Sequence, residues 1–208
     1  ESNLFYILDA NMKTKIILSF LCLSIIHIYS ANEKFHSINT DYGISMRETS
    51  SICSDNLGFI WTSSKTGVLR ISDGDARIYQ LPYRTADVIN VKLAIQNNVL
   101  YAYSNNGQLF LYDEILDKFI MKADLRQLLN NNYFLVHEML FDENGFLWIA
   151  SSSGLYHYKD DKCKLISAES VDCKSLVKLD KNHLCYFYLN KIVLELIYFR
   201  HKFLIFLL

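Results

Sequence analysis

The sequence predicts an all-β fold, an incomplete β-propeller of about three clear four-stranded blades followed by a fourth that departs from the pattern. The first observation is a repeated motif. Residues 55–61 read Asp-Asn-Leu-Gly-Phe-Ile-Trp, and residues 142–148 read Asp-Glu-Asn-Gly-Phe-Leu-Trp, 87 positions later without a gap. The second is a weaker copy between them, at residues 97–113. Self-similarity with a period of about 40–45 residues is typical of four-stranded propeller blades.

A glycine six residues after an aromatic position sets the period, and Tyr101 takes the place of Trp in the middle copy. The spacing from Gly67 to Gly107 is 40 residues, and from Gly107 to Gly154 it is 47. The offset of 87 therefore covers two units, each close to the length of one blade. The positions that define the repeat are Asp55, Gly58, Trp61, Gly67, Tyr101, Gly107, Asp142, Gly145, Trp148 and Gly154.

The pattern inside each unit predicts a β-hairpin. A turn rich in Asp and Asn ends at a glycine such as Gly58, which can adopt the positive φ of a tight reversal. A short apolar run that ends in Trp follows, then a second turn and another apolar run, which indicates strand, turn and strand. Because an isolated two-stranded ribbon is marginally stable in water, these units must stack on their neighbours.

An apolar segment close to the start predicts export. A charged start at Met12 precedes an apolar run at 16–26, and we assign a signal peptide to residues 12–30 with cleavage after Ser30. Residues 1–11 are predicted to be a non-native or unstructured leader. A membrane anchor is the alternative, but the apolar run is shorter than the ~20 residues that a spanning helix needs.

An exported chain can form disulfide bonds, and four cysteines follow the predicted signal peptide: Cys53, Cys163, Cys173 and Cys185. The sequence leaves their state open. Cys163 and Cys173 are placed to close a short loop, whereas Cys53 and Cys185 suit small buried positions in strands. No C-x-x-C pair or paired histidine accompanies them, so the sequence predicts neither a metal nor a cofactor.

Charge excludes one class of partner. The formal net charge is −1, and charged residues make up 21% of the chain. No cluster of basic residues is present that would bind nucleic acid or an anionic surface. The sequence therefore predicts no nucleic-acid partner.

The partial propeller is expected over residues 35–190, with repeats at about 42–82, 83–122, 133–168 and 174–190. Residues 123–129 are predicted to form a helical turn between the second and third repeats, ended by Asn130, Asn131 and Asn132. The predicted strands are 49–54, 59–63, 68–72 and 77–81 in the first repeat, 88–95, 99–104, 108–112 and 118–121 in the second, 135–141, 146–151, 155–158 and 164–167 in the third, and 175–179 and 184–189 in the fourth.

Residues 191–208 form a tail rich in Leu, Ile and Phe, whose origin the sequence leaves open. Charged residues such as Glu195 and Arg200 interrupt it, which disfavours a transmembrane helix. The other two interpretations are a diverged continuation of the fourth repeat and a segment from a truncated or frame-shifted reading frame.

The motif resembles the two-component-regulator propeller repeat. That pattern has an Asp, a Gly, an aromatic residue, an aliphatic residue and a Trp, then Gly-Leu and a basic-Tyr pair. It matches residues 52–61 with 67–70, and residues 141–148 with 154–158. Residues 35–45 resemble the usual entry into the first blade, so the resemblance covers about residues 35–167.

The resemblance implies a function. Such repeats build the periplasmic sensor region of hybrid two-component histidine kinases in Bacteroides-type bacteria, which sense glycan fragments and control polysaccharide-utilisation genes. It implies an oligosaccharide ligand, a homodimer in the full-length context, and membrane attachment only through a downstream region. Since this chain carries three clear repeats and no kinase, we expect it to be an N-terminal, periplasmic fragment of such a sensor.

No catalytic constellation is visible in the sequence. The histidines His36, His137, His157 and His183 lie in or beside predicted strands at scattered spacing. His137-Glu138 comes nearest to a kinase phosphoacceptor motif, but it lies on a predicted strand. We therefore expect no enzyme activity from this chain.

Two residue types that recur in the motif receive structural roles instead. The carboxylates of Asp55 and Asp142 are expected to cap turns, and Trp61 and Trp148 are expected to lie in the core between blades. The alternatives to the sensor are a secreted propeller enzyme acting on glycans, as a lyase or hydrolase, and a non-catalytic scaffold propeller.

Overall fold

The structure of the protein is a computed structural model, which describes residues 15, 17–19, 48–72, 74–166, 172–180 and 183–188 and the backbone of 191–196. The chain divides into two compact units, Glu1–Gly43 and Ile44–Leu208. In the first unit, residues 15 and 17–19 are helical. Residues 1–11, the predicted cleavage site, the predicted entry into the first blade and His36 lie outside the described residues. No helix among the described residues is long and apolar enough to span a membrane.

The second unit consists of four antiparallel sheets in chain order, each with its strands in sequential order. The first sheet contains β1 (Ser51–Ser54), β2 (Ile60–Ser64), β3 (Gly67–Ser72) and β4 (Asp75–Tyr79), and the second contains β5 (Val91–Gln96), β6 (Val99–Ser104), β7 (Gln108–Asp113) and β8 (Lys118–Asp124). The third contains β9 (Val136–Phe141), β10 (Leu147–Ser151), β11 (Gly154–Lys159) and β12 (Lys162–Leu165), and the fourth contains β13 (Cys173–Lys178), β14 (His183–Tyr188) and β15 (Lys191–Leu196). A short helix, α1 (Leu125–Leu129), follows β8.

The antiparallel order places the loops at two edges of each sheet. We call the edge with the turns after the first and third strands the turn face. We call the opposite edge, with the turn after the second strand and the connection to the next sheet, the connection face. The first strands of successive sheets are neighbours, β1 beside β5, β5 beside β9 and β9 beside β13. The sheets therefore share an inner edge, as propeller blades do.

A separate apolar core fills each space between successive sheets. Because successive sheets cover the faces that they turn to each other, burial is contributed by contacts between sheets rather than within one. The cores include Trp61, Tyr79, Leu100, Phe110 and Phe119 between the first two sheets, Tyr103, Leu109, Leu125, Phe134 and Leu147 between the next two, and Trp148, Leu155, Cys173, Leu184 and Tyr186 between the last two. The prediction of an all-β, incomplete propeller with three four-stranded blades and a less regular fourth is confirmed.

An aspartate and a tryptophan of the repeat motif are joined in the first sheet. Backbone N–H groups of Leu57 and Phe59 donate to Oδ1 of Asp55, both at 3.0 Å. The indole N–H of Trp61 donates to Oδ2 of the same carboxylate at 2.7 Å. One carboxylate therefore closes the turn and fixes the indole, and Trp61 is 1% exposed.

The third sheet repeats this arrangement. Backbone N–H groups of Asn144 and Phe146 donate to Oδ1 of Asp142 at 2.8 and 2.9 Å, and the indole N–H of Trp148 donates to Oδ2 at 3.0 Å. We call this unit, in both sheets, the Asp–Trp clamp. Asp142 itself is buried, so its charge is stabilised by three hydrogen bonds rather than by water.

The second sheet lacks the clamp but keeps the inter-sheet aromatic contact. Its first turn is Asn97-Asn98, both with positive φ, which suits a tight two-residue hairpin. Tyr101 packs against Phe141 of the third sheet with ring centroids 4.8 Å apart. In the same way, Trp61 of the first sheet lies 4.9 Å from Tyr112 of the second.

Gly67 shows why glycine recurs after the second strand. Its φ is +144°, and a Cβ placed there would lie 2.5 Å from the carbonyl oxygen of Tyr79. No other residue fits this close approach of β3 and β4.

Element boundaries differ from those predicted at a few positions. β4 begins at Asp75, two residues earlier than predicted, because the turn at Gly74 with φ +81° brings Ser72 directly opposite Asp75. The predicted helical turn is confirmed as α1, which Asp124 caps and which ends at Asn130 with φ 49°.

The fourth sheet extends past the predicted end of the fourth repeat at residue 190. The backbone of Lys191–Leu196 pairs with β14 as a third strand. This run reads Lys-Ile-Val-Leu-Glu-Leu, and its β-branched residues favour a strand even though the repeat's glycine is missing. Residues 197–208 lie outside the described residues.

The four described cysteines are free thiols. Cys163 packs against the core between the second and third sheets, whereas Cys173 lies in the core between the third and fourth, so the short loop that these two could close is not closed. Burial raises the pKa of Cys53 to about 11 and the pKa of Cys163 and Cys173 to about 12. These thiols are protonated at neutral pH and behave as small apolar side chains.

The Asp–Trp clamp generates a stability prediction. Asp142→Ala leaves two backbone N–H groups and an indole N–H without their acceptor, so we expect it to lower the free energy of unfolding by about 2–4 kcal/mol. The measurement is urea unfolding of the full chain followed by tryptophan fluorescence. The matched control is Asp113→Ala, which removes an exposed turn cap that accepts from Ile115 and Leu116 and should cost less than about 1 kcal/mol. Equal losses in the two variants would contradict the clamp's role.

Candidate functional site

A polar cleft of about 640 Å³ opens on the connection face of the second sheet. Three segments form it: the connection from β4 to β5, the turn from β6 to β7, and α1 with the loop that follows it. Its volume falls in the range of small-molecule sites. The lining residues are Arg84, Thr85, Asp87, Asn106, Gln108, Asp124, Arg126, Gln127, Asn130 and Asn132.

The floor of the cleft is a set of buried polar side chains. Asn106 and Gln108 are each 1% exposed. Gln108 Nε2 donates to Asn106 Oδ1 at 3.1 Å and to Thr85 Oγ1 at 3.0 Å, and its Oε1 accepts the backbone N–H of Arg84 at 2.8 Å. Ser104 Oγ donates to Asn106 Oδ1 at 2.5 Å. The floor is therefore fully hydrogen-bonded and rigid.

Thr85 links this floor to a carboxylate. Its hydroxyl oxygen accepts from both Asn106 at 2.7 Å and Gln108, which leaves its proton for Asp87. Asn106 Nδ2 also donates to Asp87 Oδ1 at 2.8 Å. Hydrogen bonds from Thr85, Arg126 and Asn106 together hold the pKa of the Asp87 carboxyl well below its usual range.

The two arginines of the cleft differ in their surroundings. Arg126 is paired with Asp87 at 2.5 Å and donates from Nε to the carbonyl oxygen of Phe134 at 3.0 Å. Arg84 donates from Nη1 to Gln127 Oε1 at 2.6 Å and lies 3.8 Å from Asp124. Arg126 is largely enclosed, whereas the side chain of Arg84 is 53% exposed.

Exposed amides line the opposite wall. Gln127, Asn130 and Asn132 lie on α1 and the loop after it, and all three are exposed. The next residue, Tyr133, is 89% exposed on the same loop. Guanidinium, amide and carboxylate groups around one space suit a ligand that carries many hydroxyl groups.

A second polar cluster lies at the inner edge of the sheets. Lys92 of β5 donates to the carbonyl oxygen of His137 in β9 at 3.0 Å, and the His137 imidazole lies 2.8 Å from Asp172, just before β13. Glu138 accepts from the hydroxyl of Ser175 in β13 at 2.9 Å. These side chains tie three inner strands together. His137-Glu138 lies on a strand, as the sequence predicts.

The other described histidines have contacts elsewhere. His157 stacks on Phe146 with ring centroids 5.0 Å apart, and burial lowers its pKa. His183 lies 2.7 Å from Asp180 beside its own strand. Among the described residues, no group of three potential metal ligands comes together.

None of the ten repeat-defining residues is among those that line the cleft; they lie in turns and inter-sheet cores. Sequence reasoning therefore missed this site. A signal was present at Gln108, which stands directly after the repeat's glycine. Val68 and Leu155 hold the same position in the first and third sheets, so a polar residue at a core position marked the second sheet as different.

Comparisons with known proteins were made on sequence and on fold. No family model and no curated protein matches the sequence. Among solved structures, the chain is similar to the extracellular domain of a hybrid two-component system from B. thetaiotaomicron, with a TM-score of 0.60 and 17% identity over 75% of this chain and 22% of that chain. A second such domain from the same organism gives 0.58 and 13% over 79% and 25%.

A lyase shares the fold as well. Virginiamycin B lyase from Staphylococcus aureus matches with a TM-score of 0.55 and 15% identity, over 74% of this chain and 54% of that chain. At these identities the similarity shows the propeller fold. The chain spans about a quarter or less of the length of these two extracellular domains. The comparison of folds agrees with the resemblance that the repeat motif indicates.

The Asp87 network generates a pH prediction. Because the folded pKa of Asp87 is lowered, its contribution to stability is complete above the unfolded pKa of about 3.9 and is lost as the pH falls towards the folded value. We expect Asp87→Asn to lose less stability than the wild type between about pH 4 and pH 2. Urea unfolding of the full chain at several pH values measures this. The control is Glu114→Gln, a substitution of an exposed residue on the turn face. If Asp87→Asn lost as much unfolding free energy as the wild type over this pH range, the prediction would be contradicted.

Proposed function

We propose that this chain is the N-terminal part of an exported, periplasmic sensor of the hybrid two-component type, and that it binds an oligosaccharide. The observation that carries the proposal is the polar cleft on the connection face of the second sheet. Its exposed amides, Gln127, Asn130 and Asn132, present donors and acceptors to one space, and the hydrogen-bonded floor of Asn106 and Gln108 fixes the shape of that space. Sugars are recognised by such groups, since each hydroxyl both donates and accepts.

The fold supports the same function. Extracellular domains of two hybrid two-component systems share it, and the signal peptide expected at residues 12–30 would export this chain to the matching compartment. In the whole protein, a homodimer and a downstream membrane span and histidine kinase complete the proposed receptor. The propeller then acts as the ligand-binding module and carries no catalysis.

Signalling requires that the ligand bind two conformations with different affinity. The cleft is built from segments that are joined to different sheets. The β6–β7 turn belongs to the second sheet, and the loop after α1 leads into β9 of the third. A sugar that bridges these segments favours the arrangement of sheets in which they lie at the right distance.

The alternative is a secreted propeller enzyme, and two observations favour it. A lyase shares the fold, and the imidazole of His137 lies 2.8 Å from Asp172 at the inner edge, which is the pairing of a general base with a carboxylate. Incubation of the full chain with polysaccharides, followed by assay for reducing ends and unsaturated products, tests this function. Loss of such activity in His137→Ala would establish it in place of the sensor.

Oligosaccharide binding is the first test of the sensor. We expect the full chain to bind members of an oligosaccharide panel in isothermal titration, and Asn132→Ala to weaken that binding about 2–10-fold, the loss of one hydrogen bond. Asn56→Ala, an exposed asparagine on the turn face, is the matched control and should bind like the wild type. Binding that is unaffected by Asn132→Ala would place the ligand outside the cleft.

The genomic context is a second test. We expect the DNA downstream of this reading frame to encode further Gly-aromatic-aliphatic-Trp repeats, a membrane span and a histidine kinase. Sequencing in all frames measures this directly. Unrelated genes downstream would contradict the sensor and favour a small secreted repeat protein.

A further inference from the structure

We propose that the cleft recognises an acidic oligosaccharide, and that Arg84 binds the carboxylate of a uronic acid unit. This inference rests on the proposed oligosaccharide function and names the class of sugar. It follows from the different states of the two arginines that line the cleft.

Arg126 is already neutralised within the protein. Its Nη1 is paired with Asp87 at 2.5 Å and its Nε donates to the carbonyl oxygen of Phe134 at 3.0 Å. Its side chain is only 17% exposed. The charge of Arg126 is therefore balanced inside the cleft, and its guanidinium is less accessible to a ligand than that of Arg84.

The guanidinium of Arg84, in contrast, is exposed and makes few contacts within the protein. Within the described part of the chain its guanidinium donates a single hydrogen bond, from Nη1 to Oε1 of Gln127 at 2.6 Å. Its ion pair with Asp124 is long at 3.8 Å, beyond hydrogen-bond distance, and Asp124 also accepts the backbone N–H of Gln127 as the cap of α1. A guanidinium has five N–H donors, so most of its donors remain for an anion.

Arg84 is also held in position for this role. Its backbone N–H donates to the buried amide of Gln108 at 2.8 Å, and Gln127 fixes one side of its guanidinium. Anchoring at both ends lowers the conformational entropy that binding would otherwise cost. A planar guanidinium matches a carboxylate with two parallel hydrogen bonds, which gives both strength and orientation.

The remainder of the cleft suits the rest of a uronate oligomer. The carboxylate of Asp87 accepts hydrogen bonds from Arg126, Thr85 and Asn106. It therefore does not repel an anion as a free carboxylate would. The exposed amides of Asn130 and Asn132 provide donors and acceptors for sugar hydroxyls. One exposed cation, whose ion pair with Asp124 is long at 3.8 Å, indicates one acidic group on a polyhydroxyl ligand, rather than a polyanion.

Titration with matched sugars tests the inference. The probes are trisaccharides in acidic and neutral pairs of the same linkage: galacturonate with galactose, glucuronate with glucose, and mannuronate with mannose. We expect the full chain to bind at least one acidic member ~10-fold or more tightly than its neutral counterpart, and the affinity to fall as salt is raised.

Variants of Arg84 identify the residue responsible. Arg84→Gln should abolish the preference for the acidic member, whereas Arg84→Lys should retain part of it because it keeps the charge without the planar fork. The control is Arg77→Gln, because the Arg77 side chain is 52% exposed, close to the 53% of Arg84, and lies on β4 outside the cleft. It should keep the full preference.

The outcomes separate this inference from the function on which it rests. Equal binding of acidic and neutral members, or an acid preference that survives in Arg84→Gln, would overturn the inference and leave oligosaccharide sensing intact. Failure of every sugar in the panel to bind would overturn both. Thermal unfolding of each variant shows whether a loss of binding reflects a loss of fold.

Discussion

The structure depends on one constraint: each sheet has faces that it cannot bury alone. The aromatic residue of the second strand meets this constraint by reaching into the next sheet, as Trp61 does against Tyr112 and Tyr101 does against Phe141. An indole carries a polar N–H into that apolar core, which would be costly without an acceptor. The Asp–Trp clamp supplies the acceptor from the turn. A single carboxylate thus connects the local turn to the packing between sheets.

The two faces of the sheets have different roles. In the first and third sheets the turn face carries the clamp, whereas on the connection face the recurring feature is the glycine of positive φ after the second strand. In the second sheet the loops on the connection face carry buried amides in place of apolar residues. Gln108 and Asn106 are as enclosed as core residues, yet each has its hydrogen bonds satisfied by neighbours from the β4–β5 connection. The cost of burying polar groups is offset by a rigid cleft floor.

Much of the fold could be predicted from the sequence because the same motif recurs in successive blades. The recurrence of Asp, Gly and Trp at one offset identifies the turn, the strand and the glycine at a close approach, and Gly67 has the contacts that require glycine. The end of the fourth sheet is only one of three interpretations of the tail, since Lys191–Leu196 pairs with β14 without the repeat's glycine. The cleft could not be predicted. Its residues come from segments more than 40 positions apart, such as Arg84 and Gln127, and no periodic pattern relates them.

The position of the cleft has a mechanical consequence. Its helix is fixed to the floor by the backbone N–H of Leu125, which donates to the carbonyl oxygen of Gly107 at 2.9 Å, and the first residue of β9 is fixed by the N–H of Val136 to Asn105 at 2.7 Å. Leu125 is also buried in the core between the second and third sheets. The segment that forms the wall of the cleft therefore also forms the contact between the second and third sheets. A ligand held by that wall acts on the spacing of the sheets directly, since the packed core between them is not continuously deformable.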